Sequence, residues 1–275
     1  MKDISLYEKV PPLKNNFQVK FFSQLSPFGL LPHWHEHIEL LYFTKGSCEF
    51  FCDGKSSMVK EGDLIVVNST EIHTFTTIRA TEYYCILIYP AFFKDINFSG
   101  TVLKNHITAD TFIKNCIYDI RNEKENEGLG SDMMIKSYAY KLFSYLMRNY
   151  TETTIDPETL HVQTEKLKRL DTVFNYISRN YNDKITTAKL AGLCYLSEGY
   201  FCRFFKNATG RTVADYITEY RIDKAMVMLK STDCSISEIA TNTGFDDANY
   251  FSRVFKKTTG LSPTEYKKKY YSKDS

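Results

Sequence analysis

Apolar positions between residues 17 and 90 come in short runs separated by polar and turn-forming residues: Phe17–Phe22, Ile38–Phe43, Leu64–Val67 and Tyr83–Tyr89. Runs this short, rich in aromatic and β-branched side chains, read as strands. Asp53-Gly54 is a two-residue hairpin signal and Glu61-Gly62-Asp63 a further turn, because such turns need residues that tolerate positive φ. Short strands at this spacing predict a small sandwich or barrel. Around residue 108 the period changes. Phe112, Ile113, Cys116, Ile117 and Ile120 fall on one side of a helix. After a charged, glycine-ended break at Asn122–Gly130, a second helix carries Met134, Tyr138, Leu142, Tyr145 and Leu146 along one side. Thr151–Glu165 is polar, contains Pro157 and has no sustained stripe, so it reads as a linker. Helices follow at about 166–181, 187–194, 198–208, 213–230, 236–243 and 247–257, then a basic tail. The fold class is α+β, divided as 1–100 (strands), 101–150 (helices that pack or dimerise), 151–165 (linker) and 166–275 (all helix).

The helical half repeats itself. Tyr200-Phe201-x-Arg203-x-Phe205-Lys206-x-x-Thr209-Gly210, with Tyr216, returns fifty residues later as Tyr250-Phe251-x-Arg253-x-Phe255-Lys256-x-x-Thr259-Gly260, with Tyr266. Such self-similarity marks a duplicated structural unit. In each copy a short helix leads through a tight turn into a second one, capped by Ser197 in the first and by Asp246 or Asp247 in the second. Phe201, Phe204 and Phe205 form the inner stripe of the first of these second helices, leaving Gly199, Cys202, Arg203 and Lys206 outward. In the other copy Asn249, Ser252, Arg253 and Lys256 face outward, with Lys257 beside them. Two angled helices with a basic, exposed second member make a helix-turn-helix, whose second helix can enter the major groove of double-stranded DNA. Arginine pairs with guanine and asparagine with adenine through two hydrogen bonds each. The lysines are expected to hold phosphates, which position a protein without encoding sequence.

Charge supports this partner only when resolved along the chain. The net charge is +2, which says little, but from Glu165 onward 19 Lys and Arg stand against 13 Asp and Glu. The excess of positive charge lies in the half with the duplicated helices. No apolar stretch is long enough to span a bilayer, and the polar start Met1-Lys2-Asp3-Ile4-Ser5 lacks the apolar segment of a secretory leader. The expectation is a cytoplasmic protein with no membrane partner. Seven cysteines without a CxxC pair do not read as a disulfide framework or a zinc ribbon. Cys202 is expected to act as a small neutral spacer.

Residues 166–270 resemble the DNA-binding domain of the AraC/XylS family of bacterial transcription regulators. The resemblance rests on the repeat, on Tyr220-Arg221-x-x-Lys224-Ala225 leading to Leu229, on Ile236-Ser237-Glu238-Ile239-Ala240, on Gly244-Phe245, and on Leu261-Ser262-Pro263-x-x-Tyr266. It implies two recognition helices about one DNA turn apart that read one face of promoter DNA. It also implies a homodimer formed through the helices of 101–150, and RNA polymerase as a further partner. Gly199 and Cys202 stand where family members often place larger readers, so Arg203 is expected to carry most of the first helix's base contacts.

In the strand-rich half, His33-x-His35-x-x-x-Glu39 followed by Gly46, then Gly62 and His73, resembles the two motifs of the cupin β-barrel. His33, His35 and Glu39 share strand parity and can point to one interior. Together with His73 they offer three imidazoles and a carboxylate, the ligand set of a divalent metal. The second motif departs from the cupin pattern at Asn68, Thr70 and Thr77. The four residues can hold a metal and catalyse, hydrogen-bond an effector, or form a buried polar group. The sensor pockets of AraC-type regulators favour the second reading: His33, His35, Glu39 and His73 surround a small-molecule effector, a sugar being the preferred class, with no cofactor, no resident metal and no turnover. The competing reading is a cupin metalloenzyme fused to a DNA-targeting module. His37 shares the parity but matches no motif, and His106 and His161 are expected on the surface in helical or linker context. Trp34, Tyr42, Phe50 and Phe75 are expected to fill the core.

Overall fold

The computed structural model describes residues 16–24, 31–77, 79–93, 100–126 and 128–271, so the start Met1–Ser5 lies outside the described residues. The chain divides into two compact units, with the division between Lys168 and Arg169.

In the first unit, β1 (Phe17–Gln24), β2 (Ile38–Lys45), β5 (Leu64–Val67), β7 (Thr81–Ile88) and β9 (His106–Ile107) form one sheet in the order β1-β7-β2-β5-β9. β3 (Ser47–Cys52), β4 (Lys55–Lys60) and β6 (His73–Thr77) form a second, in the order β4-β3-β6. Asp53 and Gly54 join β3 to β4 with both residues at positive φ (43° and 81°), the backbone of a two-residue hairpin turn. Side-chain alternation explains why β2 reads as one apolar run. Leu41 and Phe43 enter a core with Phe50, Val59, Phe75 and Tyr83, drawn from both sheets. Ile38, Leu40 and Tyr42 enter a second core with the two helices that follow.

Those helices, α1 (Thr111–Glu125) and α2 (Ser131–Asn149), bury Ile113, Cys116, Ile117, Ile120, Ile135, Ala139, Leu142, Phe143 and Leu146 against the five-stranded sheet. The α1 stripe read from the sequence is used within the domain, whereas the α2 stripe holds only in part. Leu142 and Leu146 are buried, Tyr138 and Tyr145 are half-buried, and Met134 is exposed, because Ile135, Ala139 and Phe143 take the inward face. Among the described residues the strands do not close into the expected barrel. The strands separate into distinct sheets, and across the seam of interest the described backbone is joined by an isolated bridge, with His33 and His73 exchanging N–H···O bonds of 3.0 and 2.9 Å.

Three other expectations change. The linker 151–165 is ordered: β10 (Thr151–Thr154) pairs with β8 (Thr101–Leu103), and α3 (Pro157–Asn180) begins where Asp156 accepts the Thr159 N–H at 2.9 Å. A strand held only by backbone bonds, with all four side chains exposed, leaves no hydrophobic period to read. His106 lies in a strand rather than a helix or linker, and its Nε2 sits 2.9 Å from Asp63 Oδ2. The basic tail contains a helix, α9 (Pro263–Tyr270), started by a reciprocal capping box between Ser262 and Glu265.

The second unit also contains α4 (Thr187–Leu193), α5 (Glu198–Thr209), α6 (Val213–Ser231), α7 (Ile236–Asn242) and α8 (Ala248–Thr259). Its two copies pack alike. Phe205 meets Tyr216 edge-to-face at 5.6 Å and 82°, and Phe255 meets Tyr266 at 5.4 Å and 80°. Phe204 departs from the expected inner stripe. It is half-buried and stacks on Tyr200 at 6.3 Å.

The turns differ in one telling way. Leu196 N–H bonds Ala191 O in the first copy, and Phe245 N–H bonds Ala240 O in the second. The left-handed residue within that loop is Tyr195 (φ 57°) in one and Gly244 (φ 83°) in the other. A left-handed non-glycine residue costs about 1–2 kcal/mol, partly offset by the entropy a glycine would add. Tyr195→Gly is therefore expected to stabilise the unit by about 0.5–1 kcal/mol, read as a raised urea midpoint at unchanged slope.

Candidate functional site

His33, His35, Glu39 and His73 converge, each offering one ligand atom, with all four atoms within 4.8 Å of one another. Chain geometry accounts for this. His33 and His73 are paired across the bridge, and Glu39 lies on β2 two pleats beyond His35. His35 Nε2 is 3.5 Å and His73 Nε2 3.3 Å from Glu39 Oε2. These are ion-pair distances, at the long end for a hydrogen bond, and both nitrogens are fully buried against the carboxylate. His35 and His73 are each only 1% exposed. The opposite ring nitrogens are committed. Nδ1 of His33 contacts Leu31 O at 3.0 Å, that of His35 contacts His37 O at 2.9 Å, and that of His73 contacts Glu71 O at 3.1 Å. A carbonyl only accepts, so each Nδ1 carries the proton. In His35 and His73, Nε2 is then the nitrogen the ring turns toward Glu39.

Burial, with the adjoining His73 and His35, holds His33 well below the usual histidine range. Burial alone would raise the Glu39 carboxyl, but His35 and His73 outweigh it and hold it well below the ordinary carboxylate value. His37, which matched no motif, stacks on His35 at 3.5 Å and 12° and on Tyr89 at 5.2 Å. Burial pushes it down to about 3, so it is a neutral wall of the site.

Two neighbours were not legible in the sequence. Cys85 on β7 donates its thiol hydrogen to Glu39 Oε1 at 3.1 Å, across 46 residues. Glu71 accepts from Asn68 N at 2.8 Å, Asn68 Nδ2 at 3.1 Å, Asn105 Nδ2 at 2.6 Å and Cys52 Sγ at 3.4 Å. Asn68 in turn exchanges two bonds of 2.8 and 2.9 Å with the Leu103 backbone. The Asn68 and Thr70 departures from the cupin pattern thus belong to a polar clasp that carries Glu71 O to His73, and Thr70 N–H to His35 O at 2.9 Å. Trp34, Tyr42, Phe50 and Phe75 are buried in the core, as expected of them.

On the reader side, Gly199, Cys202, Arg203 and Lys206 are exposed on α5, and Asn249, Arg253, Lys256 and Lys257 on α8. Ser252 is half-buried, and its hydroxyl donates to Ala248 O at 2.9 Å. Arg253 lies over the Tyr250 ring at 6.0 Å. The buried faces of the same helices carry Phe201 and Phe205, and Phe251 and Phe255. Asp247 caps α8 by accepting the Tyr250 N–H. Ser197 occupies the N-cap of α5 without a side-chain bond.

Residues 28–143 match the family described as an AraC-like ligand binding domain, and residues 190–269 match a helix-turn-helix domain. The two lie in that order on one chain. This chain belongs to the AraC/XylS family of transcription regulators. With these two domains, the regulator joins a ligand-binding N-terminal part to a DNA-binding C-terminal one. It is similar over its length to curated relatives. It is 23% identical over 257 residues to the uncharacterized HTH-type transcriptional regulator YdeC of Bacillus subtilis, covering 87% of each chain. It is 24% identical over 243 residues to the HTH-type transcriptional activator RhaR of Salmonella dublin, covering 86% of each. Among solved structures, ToxT from Vibrio cholerae aligns with 93% of this chain and 98% of its own, at 14% identity and a TM-score of 0.47. None of the regulator's described helices is long and apolar enough to cross a membrane.

Proposed function

We propose that this regulator reads promoter DNA with α5 and α8 and takes a small polar effector at His33, His35, Glu39 and His73. The observation that carries the DNA assignment is the duplicated helix whose aromatic face is buried while its basic face is exposed. Arg203, Asn249 and Arg253 read base edges. Lys206, Lys256 and Lys257 hold phosphates, and Gly199, Cys202 and Ser252 let the helices approach closely. The effector assignment is supported by four convergent, buried polar groups beside the apolar core of the strand-rich unit. Acceptor nitrogens and a carboxylate suit a hydroxyl-rich molecule, so sugars are the first class to test. The protein works without turnover in the cytoplasm as a homodimer that engages RNA polymerase. The dimer forms through the outer face of the α1–α2 hairpin, where Leu129, Met133 and Tyr140 are exposed.

The test uses the full-length protein and binding-site selection from a random duplex library. Arg253→Ala is expected to cost about 1–3 kcal/mol and to relax preference at particular base pairs. Lys256→Ala should weaken binding to every sequence and shallow the salt dependence by about one phosphate contact. If Arg253→Ala left the selected consensus intact while Lys256→Ala changed it, the roles would be reversed. For the sensor, a thermal-shift screen should find a ligand that stabilises wild type by about 2.7 kcal/mol at a hundredfold excess over its dissociation constant. That effect should vanish in Glu39→Ala, and the same ligand should alter operator affinity.

A further inference from the structure

We propose that Arg221 is a positioning residue for DNA recognition: it clamps the end of α3 to the turn between α7 and α8, fixes α5 relative to α8, and so sets the spacing that the protein accepts between two blocks of base pairs. This rests on the reading that both helices enter DNA, and it names what holds them in register.

Helix α6 joins the two copies of the repeat. Its first half packs in the first copy, where Tyr216 meets Phe205, and its second half supplies Ile222, Ala225 and Leu229 to the core of the second. Arg221 stands where one set of contacts gives way to the other. A small bend or twist of α6 at that point would be carried directly to the reader helices.

The Arg221 side chain braces this point. Its Nε donates to Tyr181 O at 2.7 Å and its Nη2 to Asp183 O at 2.9 Å. Both oxygens lie just past the end of α3, where carbonyls lack helical partners and a cation is favoured. The same guanidinium lies over the ring of Phe245, in the turn between α7 and α8, at 5.8 Å. One planar group therefore touches the helix that enters the first copy and the turn of the second. A rigid fork of donors sets direction as well as distance, which the point charge of a lysine does not.

The repeat supplies an internal comparison. Both turns close with the same backbone bond, yet the first carries Tyr195 at its left-handed position, 96% exposed. The turn conformation alone therefore does not demand glycine. Gly244 has a second reason to be one: a Cβ there would stand 2.8 Å from Tyr181 O and 2.9 Å from Arg221 Cζ. The second turn is pressed against the clamp with no room for a side chain. The arginine also breaks the repeat. Fifty residues beyond Tyr216, Tyr220 and Arg221 stand Tyr266, Tyr270 and Tyr271, so both tyrosines recur and the arginine does not. A copy folds without it, and its contacts serve the junction.

The test uses full-length protein and the two-block consensus that wild type selects from a random duplex library. Duplexes with one base pair added or removed between the blocks displace the second block by about 3.4 Å and turn it by about 35°. Wild type is expected to bind each altered duplex about tenfold more weakly or worse, the equivalent of at least one lost base contact. In Arg221→Ala and Arg221→Lys that penalty should shrink to about threefold or less, well under one base contact, at an unchanged salt slope. Arg221→Lys keeps charge and length, so it decides the matter should Arg221→Ala fail to fold. Val173→Ala, which opens a cavity at a fully buried position of α3 outside the clamp, should lose stability and keep the full penalty. Arg221 variants that are folded by circular dichroism and discriminate spacing as wild type does would overturn the inference. So would equal weakening on every duplex with a salt slope shallower by about one, the mark of a phosphate contact. A single-block consensus from wild type defeats the two-reader reading and this inference together. Two blocks with undiminished discrimination in both variants defeat this inference alone.

Discussion

Phe255→Ala is expected to destabilise the DNA-binding unit by about 3–5 kcal/mol, the range for truncating a fully buried phenylalanine. Phe255 is 0% exposed and packs in one core with Ile222, Leu229, Ile239, Phe251 and Tyr266. It meets Phe251 at 5.6 Å and the edge of Tyr266 at 5.4 Å. The cavity left behind would border α6, α7, α8 and α9 together, so the site has little freedom to collapse. Since a domain's whole stability is about 5–15 kcal/mol, the loss should be visible as a large drop in the urea midpoint and as failure to bind DNA near 37 °C. Phe255→Leu keeps most of the volume and is expected to retain binding at 25 °C. Phe205→Ala should behave like Phe255→Ala, because Phe205 is equally buried against Tyr216, Phe174 and Phe201. A Phe255→Ala protein with an unchanged midpoint would mean that α8 is not held by this core.

Glu71→Ala is expected to cost the sensor unit about 2–4 kcal/mol, because hydrogen bonds to a charged acceptor are the stronger ones and the donors left behind lose their partner. Asn68 N, Asn68 Nδ2, Asn105 Nδ2 and Cys52 Sγ all point at its two oxygens. Glu71→Gln should recover only part of the loss, since one carboxamide end is a donor and would face a donor. The clasp ties the 68–71 loop to the backbone of Leu103 and Val66, so the variant should also loosen His73. Hydrogen exchange across 68–75 and 101–107 should speed up together while β3 and β4 stay protected. An effect confined to residue 71 would show that the loop is held by the His33–His73 bridge alone.

Much of this architecture is legible in the sequence because burial writes a period into it. The strand runs, the α1 and α2 stripes and the duplicated Phe-x-Arg-x-Phe-Lys helices follow from side chains that alternate every two residues or recur every three to four. The even spacing of His33, His35 and Glu39 likewise marks one inward face. Features held by backbone bonds or by capping leave no such trace. β10 is a fully exposed strand, α9 depends on a capping box and one buried tyrosine, and the sheets stop short of closing because β3 and β4 pair with β6 instead of continuing around β2.

Periodicity and the repeat alone reveal the two-part organisation, the duplicated helices α5 and α8 with their basic faces, and four polar residues on one inward face of the strand-rich half. Which groups surround those four comes from long-range contacts that no local pattern encodes. The tertiary structure brought His73 beside His33 through a single bridge, set three backbone carbonyls against the Nδ1 atoms, and placed Cys85 on Glu39 from 46 residues away. The physical reason is that residue type and parity fix which side of a strand a group occupies. The direction of a lone pair depends on which backbone oxygen the folded chain presents to the other end of the ring.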